Sequence, residues 1–121
     1  MATNKRGSYK LGLRAERLAA WGLRLRGYRI LAQRYKTPVG EIDLIARKGK
    51  ALIFIEVKAR SDLSTALQAV TPQMQSRIAR AANYFVAQHS AVSDMEMRFD
   101  LIAIASPLRW RHLDNAWRPS A

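Results

Sequence analysis

Residues 40–60 read GEIDLIARKGKALIFIEVKAR, and the fold turns on this stretch. Glu41 to Ala46 and Ala51 to Ala59 are rich in aliphatic residues, and Arg47-Lys48-Gly49-Lys50 separates them. Two such runs around a short, glycine-bearing loop predict a β-hairpin. The second run, ALIFIEVKA, is apolar at odd and even positions alike until its end. A strand apolar on both faces needs cover on both sides, so it belongs inside a sheet rather than at its edge.

Side chains alternate faces along a strand. Glu41, Asp43 and Ile45 therefore share one face, and Ile42 and Leu44 the other. In the next strand Leu52, Phe54, Glu56 and Lys58 share a face. If Arg47 pairs with Lys50, Glu41 falls opposite Glu56 and Asp43 lies diagonal to it. A shift of two residues puts Asp43 directly opposite Glu56. In both registers the acids and Lys58 project from one side, whereas a shift of one residue would separate them.

Outward from the hairpin, Ser8 to Arg26 lacks proline and reads as a helix, with Leu11, Ala15, Leu18 and Leu25 as its apolar stripe. Arg17 and Arg24 lie on another side, and Glu16 sits beside Gly12, Ala20 and Leu23. Gly27 can end the helix. Tyr28 to Tyr35 reads as a first strand, and Thr37-Pro38 as a turn. Arg60 to Val70 is expected to be irregular. Thr71 as N-cap and Pro72 at the first helical position open a second long helix that runs to His89. Its core stripe is Met74, Ile78, Ala81 and Phe85, with Gln73, Arg77, Arg80 and Tyr84 on another face. Met97 to Ala105 is a further strand, and Leu108 to Trp117 adds a short edge strand. The order predicts an α/β domain with a central mixed sheet of four to five strands flanked by helices. Residues 1–7 are expected to be a flexible basic arm, and residues 8–121 a single domain.

Composition narrows the function. The chain has 121 residues, no cysteine, and 21 Lys and Arg against nine Asp and Glu, for a net charge of +12. Without cysteine there is no disulfide framework, thiolate nucleophile or cysteine-held metal. No apolar run approaches the roughly 20 residues that span a bilayer, so no membrane role is expected and the default compartment is the cytoplasm. A strong positive charge attracts polyanions, of which nucleic acid is the commonest. Arg47, Lys48, Arg60 and Arg77 are candidate phosphate contacts. The first 38 residues hold ten basic residues and one acid, Glu16.

Clustered carboxylates raise each other's pKa unless a cation neutralises them. An arginine network is one solution. A divalent cation such as Mg²⁺ or Mn²⁺, held by one or two carboxylates and completed by substrate phosphate, is the other. Lys58, two residues after Glu56, would place an ammonium beside the reacting phosphate. Metal, positioned water and a cation on the developing charge are the parts of metal-assisted phosphodiester hydrolysis.

The same stretch resembles the signature of the YraN-like bacterial proteins. Glu16, Gly27-Tyr28, Val70-Thr71-Pro72 and Arg98-Phe99-Asp100 also fall where that family has them. The family is in turn similar to the restriction-endonuclease-like PD-(D/E)xK superfamily, and within it to the archaeal Holliday-junction resolvases. By position the resemblance implies a restriction-endonuclease-like core, Asp43 and Glu56 as metal-binding acids, Lys58 as the catalytic lysine and Glu16 as the helical glutamate of the resolvase-like branch. Glu41 belongs to the YraN-like motif, and Gln75 matches a polar helix position of related nucleases; both are accessory candidates. The chain departs from the pattern at Ile42, where the superfamily has proline.

These readings converge on a metal-dependent endonuclease acting on DNA. The alternatives are a nucleic-acid-binding module without cleavage and a basic domain that binds an acidic protein. A homodimer is a further expectation, because junction-cleaving enzymes need two active sites. His89 and His112 read as ordinary surface or helix-end residues, Asp100 as a structural acid, and Trp110 and Trp117 as core or interface residues.

Overall fold

Alternating apolar runs and two long amphipathic helices fold in the order α1 (Lys5–Leu25), β1 (Arg29–Thr37), β2 (Gly40–Lys48), β3 (Ala51–Lys58), α2 (Leu63–Gln68), α3 (Pro72–Gln88), β4 (Glu96–Ser106) and β5 (Arg109–Leu113) in a computed structural model that describes residues 5–118. The sheet order is β1-β2-β3-β4-β5. Only β3 and β4 run parallel; the other neighbours are antiparallel, so the sheet is mixed. The connection between the parallel pair carries α2 and α3, as a parallel crossover requires. The doubly apolar strand β3 lies at the centre.

Helices cover both faces of the sheet. On one side Ala15, Ala19, Ala20 and Leu23 of α1 pack with Leu44, Ile53, Ile55 and Ile102. On the other, Ile78, Ala81, Ala82 and Phe85 of α3 pack with Ile42, Ile45, Phe54 and Phe99. The Thr71 hydroxyl accepts from the Met74 N–H at 3.2 Å, which caps α3 at its start.

Three expectations change. The first helix begins at Lys5, ahead of Ser8, and residues 1–4 of the expected arm lie outside the described residues. Its buried stripe is alanine-rich, because small side chains let the helix approach the sheet closely; Leu25 instead points outward and is 86% exposed. The segment after Arg60 contains the short helix α2, capped by Asp62, whose carboxylate accepts from the Thr65 N–H at 2.7 Å.

Asp100 on β4, a carboxylate with no exposed surface, ties β4 to β5 and to the turn beyond it. It accepts from Arg98 Nε and Nη2, each at 2.8 Å, and from the Asn115 N–H at 2.9 Å, while His112 Nε2 lies 2.8 Å away. Burial opposes its ionisation, but the hydrogen bonds from His112, Arg98 and Asn115 outweigh it and hold Asp100 below the usual carboxylate range. Asp100 is thus the structural acid that its sequence context suggests. His112 is not an ordinary surface residue: its side chain is 8% exposed and locked against Asp100. Trp117 is buried against Phe99, and Trp110 is wedged beside Gly22.

Gly40 fixes the spacing between β2 and α3. A Cβ there would lie 2.8 Å from the Arg77 carbonyl oxygen, and backbone cannot swing aside as a side-chain tip can. Gly40→Ala should therefore cost about 1–3 kcal/mol, seen as a Tm lower by roughly 5 °C or more. An unchanged or raised melting temperature would show that α3 yields freely.

Candidate metal centre

The hairpin ladder pairs Lys48 with Ala51, Arg47 with Leu52, Ala46 with Ile53, Ile45 with Phe54 and Leu44 with Ile55, and stops there. Continued by one step, this register sets Asp43 opposite Glu56, the second of the two registers open from sequence. The backbone bonds are replaced by side chains. The Asp43 N–H donates to Glu56 Oε1 at 3.4 Å, and the Val57 N–H donates to Asp43 Oδ2 at 2.8 Å. Each acid reaches across to the facing strand, and the strands part between them.

The partner strand is irregular at the same level. β1 pairs Gln33 with Leu44 and Tyr35 with Ile42, which leaves Arg34 across from Asp43. Arg34 has φ 50°, a left-handed conformation that costs a non-glycine residue about 1–2 kcal/mol. Alternation breaks here: Ile42 joins Ile45 in the α3-side core, and Leu44 packs on the α1 side. The expected sharing of one face by Ile42 and Leu44 fails for this reason.

A cleft of about 620 Å³ opens at the split. Glu41, Asp43, Glu56 and Lys58 line it from the sheet, Met74, Arg77 and Ile78 from α3, and the turn from Thr37 to Gly40 closes one end. The Thr37 hydroxyl holds that turn by accepting from the Val39 and Gly40 N–H groups and donating to the Gly40 carbonyl.

At these acids burial outweighs the neighbouring cations. Burial drives the Glu56 carboxyl well above the usual range, and neighbouring Asp43 adds to the shift, while Lys58 opposes it. Burial also raises Asp43, against the Val57 N–H, Lys58 and a hydrogen bond from Glu56. Together the pair holds a proton more tightly than two separate carboxyls would. Glu16 comes from α1; burial, then Asp43 and Glu41, push it up to about 7 against the pull of Arg34. Arg34 Nε lies 3.9 Å from Glu16 Oε1, and that buried oxygen has no hydrogen-bond partner.

This donor set suits a hard divalent cation. Asp43 and Glu56 each accept one backbone N–H and are hydrogen-bonded to each other, and burial destabilises both as anions. Neither Glu16 nor Glu41 completes a tight triad. Among the described residues, the only three acid or imidazole donors within 4.8 Å of one another are Asp100, His112 and Asp114.

The other sequence candidates scatter. Arg77 lines the cleft. Arg47 and Lys48 sit at the hairpin end of the sheet, away from the split; Lys48 Nζ donates to the Arg26 carbonyl at 3.0 Å and lies 4.6 Å from the Tyr28 ring. Arg60 lines a separate hollow beside α1. Gln75 donates its amide to the Val70 carbonyl at 3.1 Å, which fixes the start of α3 rather than reaching the acids. Sequence reasoning missed Arg34, because a left-handed non-glycine residue leaves no mark in a strand-like run, and missed that His112 and Asp114 converge on Asp100. The spacing of Arg98 and Asp100 on β4, and of His112 on β5 with Asp114 just beyond its end, was the available signal.

A buried acid that holds its proton in the fold and loses it on unfolding destabilises the fold at neutral pH. Below the ordinary carboxylate range both states are protonated and the penalty vanishes; it grows as pH rises toward the folded-state pKa. Glu56→Gln keeps the acceptor for the Asp43 N–H and removes the titration. In chelator-treated protein its Tm should exceed that of wild type by several degrees at pH 8, and the two should converge near pH 4. A lower Tm for the variant at pH 8 would show that Glu56 is comfortable as an anion.

The family model described as Uncharacterised protein family UPF0102 matches residues 15–104, from the turn of α1 that carries Glu16 into the last residues of β4. A UPF0102 protein of Parvibaculum lavamentivorans is 50% identical over 113 residues, which cover 93% of this chain and 84% of the relative. One from Chelativorans sp. is 45% identical, covering 94% and 92%, and one from Caulobacter vibrioides is 47% identical, covering 89% and 86%. The chain belongs to uncharacterised protein family UPF0102, the YraN-like proteins.

Proposed function

We propose that the protein is a metal-dependent endonuclease of the restriction-endonuclease-like kind, hydrolysing DNA phosphodiester bonds with a resolvase-like preference for branched structures. The observation that carries this reading is the Asp43–Glu56 pair, set in a strand split at the end of a buried strand with Lys58 beside it. A purely structural acid in this protein looks like Asp100, which is saturated with donors and held as an anion. Asp43 and Glu56 are the opposite case: crowded, under-neutralised and facing a cleft.

Asp43 and Glu56 would hold Mg²⁺ or Mn²⁺. Such an ion, when bound, lowers the pKa of a water and neutralises charge on the phosphate. Lys58 already stabilises the ionised form of both acids and would meet the negative charge that develops on the phosphate oxygens. Glu16, poised at about 7, can exchange a proton on the α1 side of the split. Arg77 on the cleft wall would grip a flanking phosphate. The net charge of +12 draws the polyanion in.

Cleavage of branched, nicked and linear DNA and of RNA, with Mg²⁺ or Mn²⁺, tests the reading. Wild type should cut at least one DNA substrate, and Glu56→Ala and Lys58→Ala, prepared identically, should each lose about 100-fold or more. Binding should persist in both and weaken steeply with salt, by about −0.9 in log–log slope per neutralised phosphate. Equal cutting by wild type and Glu56→Ala would assign the activity to a contaminant, and salt-dependent binding without cutting would leave a binding module.

A further inference from the structure

Among the described residues, the outer face of α1 is largely exposed, with Leu18 at its edge partly packed against the core. At 3.6 residues per turn, Arg14, Arg17, Leu18, Trp21, Arg24 and Leu25 fall within an arc of about 120°. The arc is opposite the buried alanine stripe. Trp21 at its centre is 64% exposed, and Leu25 is 86% exposed. The Arg24 guanidinium lies 5.3 Å from the Trp21 ring centre. This is a large aromatic surface in solvent, surrounded by fixed positive charge.

The face continues into a groove. Arg14, Ala15 and Leu18 form one wall of a hollow of about 490 Å³ with an apolar floor that includes Ala59 and Ile104, and Arg60, Ser61 and Ser106 lie at its polar side. Ser61 also borders a smaller hollow that holds Arg109 and Arg111. No acid lines either hollow. Arg60 follows Lys58 by two residues, so the chain that leaves the acidic cleft at the end of β3 enters this groove directly.

We propose that the outer face of α1 and the adjoining groove bind an unpaired nucleic-acid strand, with a base stacked on Trp21 and phosphates on Arg14, Arg24 and Arg60. Alternating ring surface and guanidinium matches the alternating base and phosphate of a single strand. Paired bases keep their faces inside the duplex, so a stacking surface selects unpaired ones. An apolar partner helix would need neither the arginines nor the absence of acids. The proposal rests on the endonuclease reading only for where the strand leads, since it places the groove beside the cleft.

The test uses the full chain and fluorescence anisotropy with a labelled 20-nucleotide oligo-dT and a blunt 20-base-pair duplex at one salt concentration. Trp21→Ala should weaken oligo-dT binding by about 5- to 150-fold, the range for losing one base–aromatic stack, and change duplex binding less than twofold. Trp21→Phe, which keeps a ring, should recover most of the affinity. Trp21 is exposed, so both variants should melt as wild type does. Unchanged oligo-dT affinity in Trp21→Ala, or an equal loss on duplex, overturns the proposal. So does a fall in sedimentation mass, which would assign Trp21 to an interface between copies. Mn²⁺ binding measured in the same variants should stay at the wild-type level. A cleft that binds no metal beside an intact Trp21 effect would remove the nuclease reading and leave the strand-binding surface standing.

Discussion

β2 and β3 stop pairing after Leu44 and Ile55 because the Asp43 and Glu56 side chains take the N–H groups that the ladder would otherwise use. Unpaired backbone N–H groups in a buried strand would be costly, so the split persists only while both positions keep an acceptor oxygen. Each carboxylate does two things at once. One oxygen satisfies the neighbouring strand, and the carboxyl lines the cleft in a hydrogen bond with its partner acid. The cost appears as raised proton affinity at Asp43, Glu56 and Glu16, three acids from three elements that crowd one point.

Much of the remaining structure keeps that point in position. β3 is buried on both faces and cannot move as a unit, because α1 presses on one side and α3 on the other. β4 is fixed in turn by Asp100, whose bonds to Arg98, Asn115 and His112 clamp the parallel pair to the edge strand. Gly40 brings α3 against the start of β2 and so sets the width of the cleft. The left-handed Arg34 lets β1 follow β2 past the irregularity and carries its guanidinium toward Glu16.

The sequence discloses the central strand, the hairpin, the capped second helix and the grouping of Asp43, Glu56 and Lys58, because each depends on local chemistry or on period-two alternation. It does not disclose the break in that alternation at Asp43, which arises where side chains replace backbone bonds and where Arg34 turns left-handed. Nor does it identify the buried face of α1. Leucine outranks alanine as a core residue on hydropathy, yet close approach to the sheet favours Ala15, Ala19 and Ala20 and turns Leu25 outward. His112 was hidden for another reason: its partner Asp100 is on a different strand, and only the register brings them together. Arg47 and Lys48 looked like phosphate contacts by charge, but strand length carries them to the far end of the sheet from the acids.

The proposal at the centre of this account is that Asp43 and Glu56 share a divalent cation. Titration calorimetry with Mn²⁺ on wild type and on Asp43→Asn, at neutral pH, tests it most directly. Asparagine keeps the acceptor for the Val57 N–H, so the split is preserved while one anionic ligand is lost. The expected result is a saturable site on wild type, with protons released as Glu56 ionises, and no detectable site on the variant. Equal binding by both proteins, or none by either while both remain folded, would contradict it.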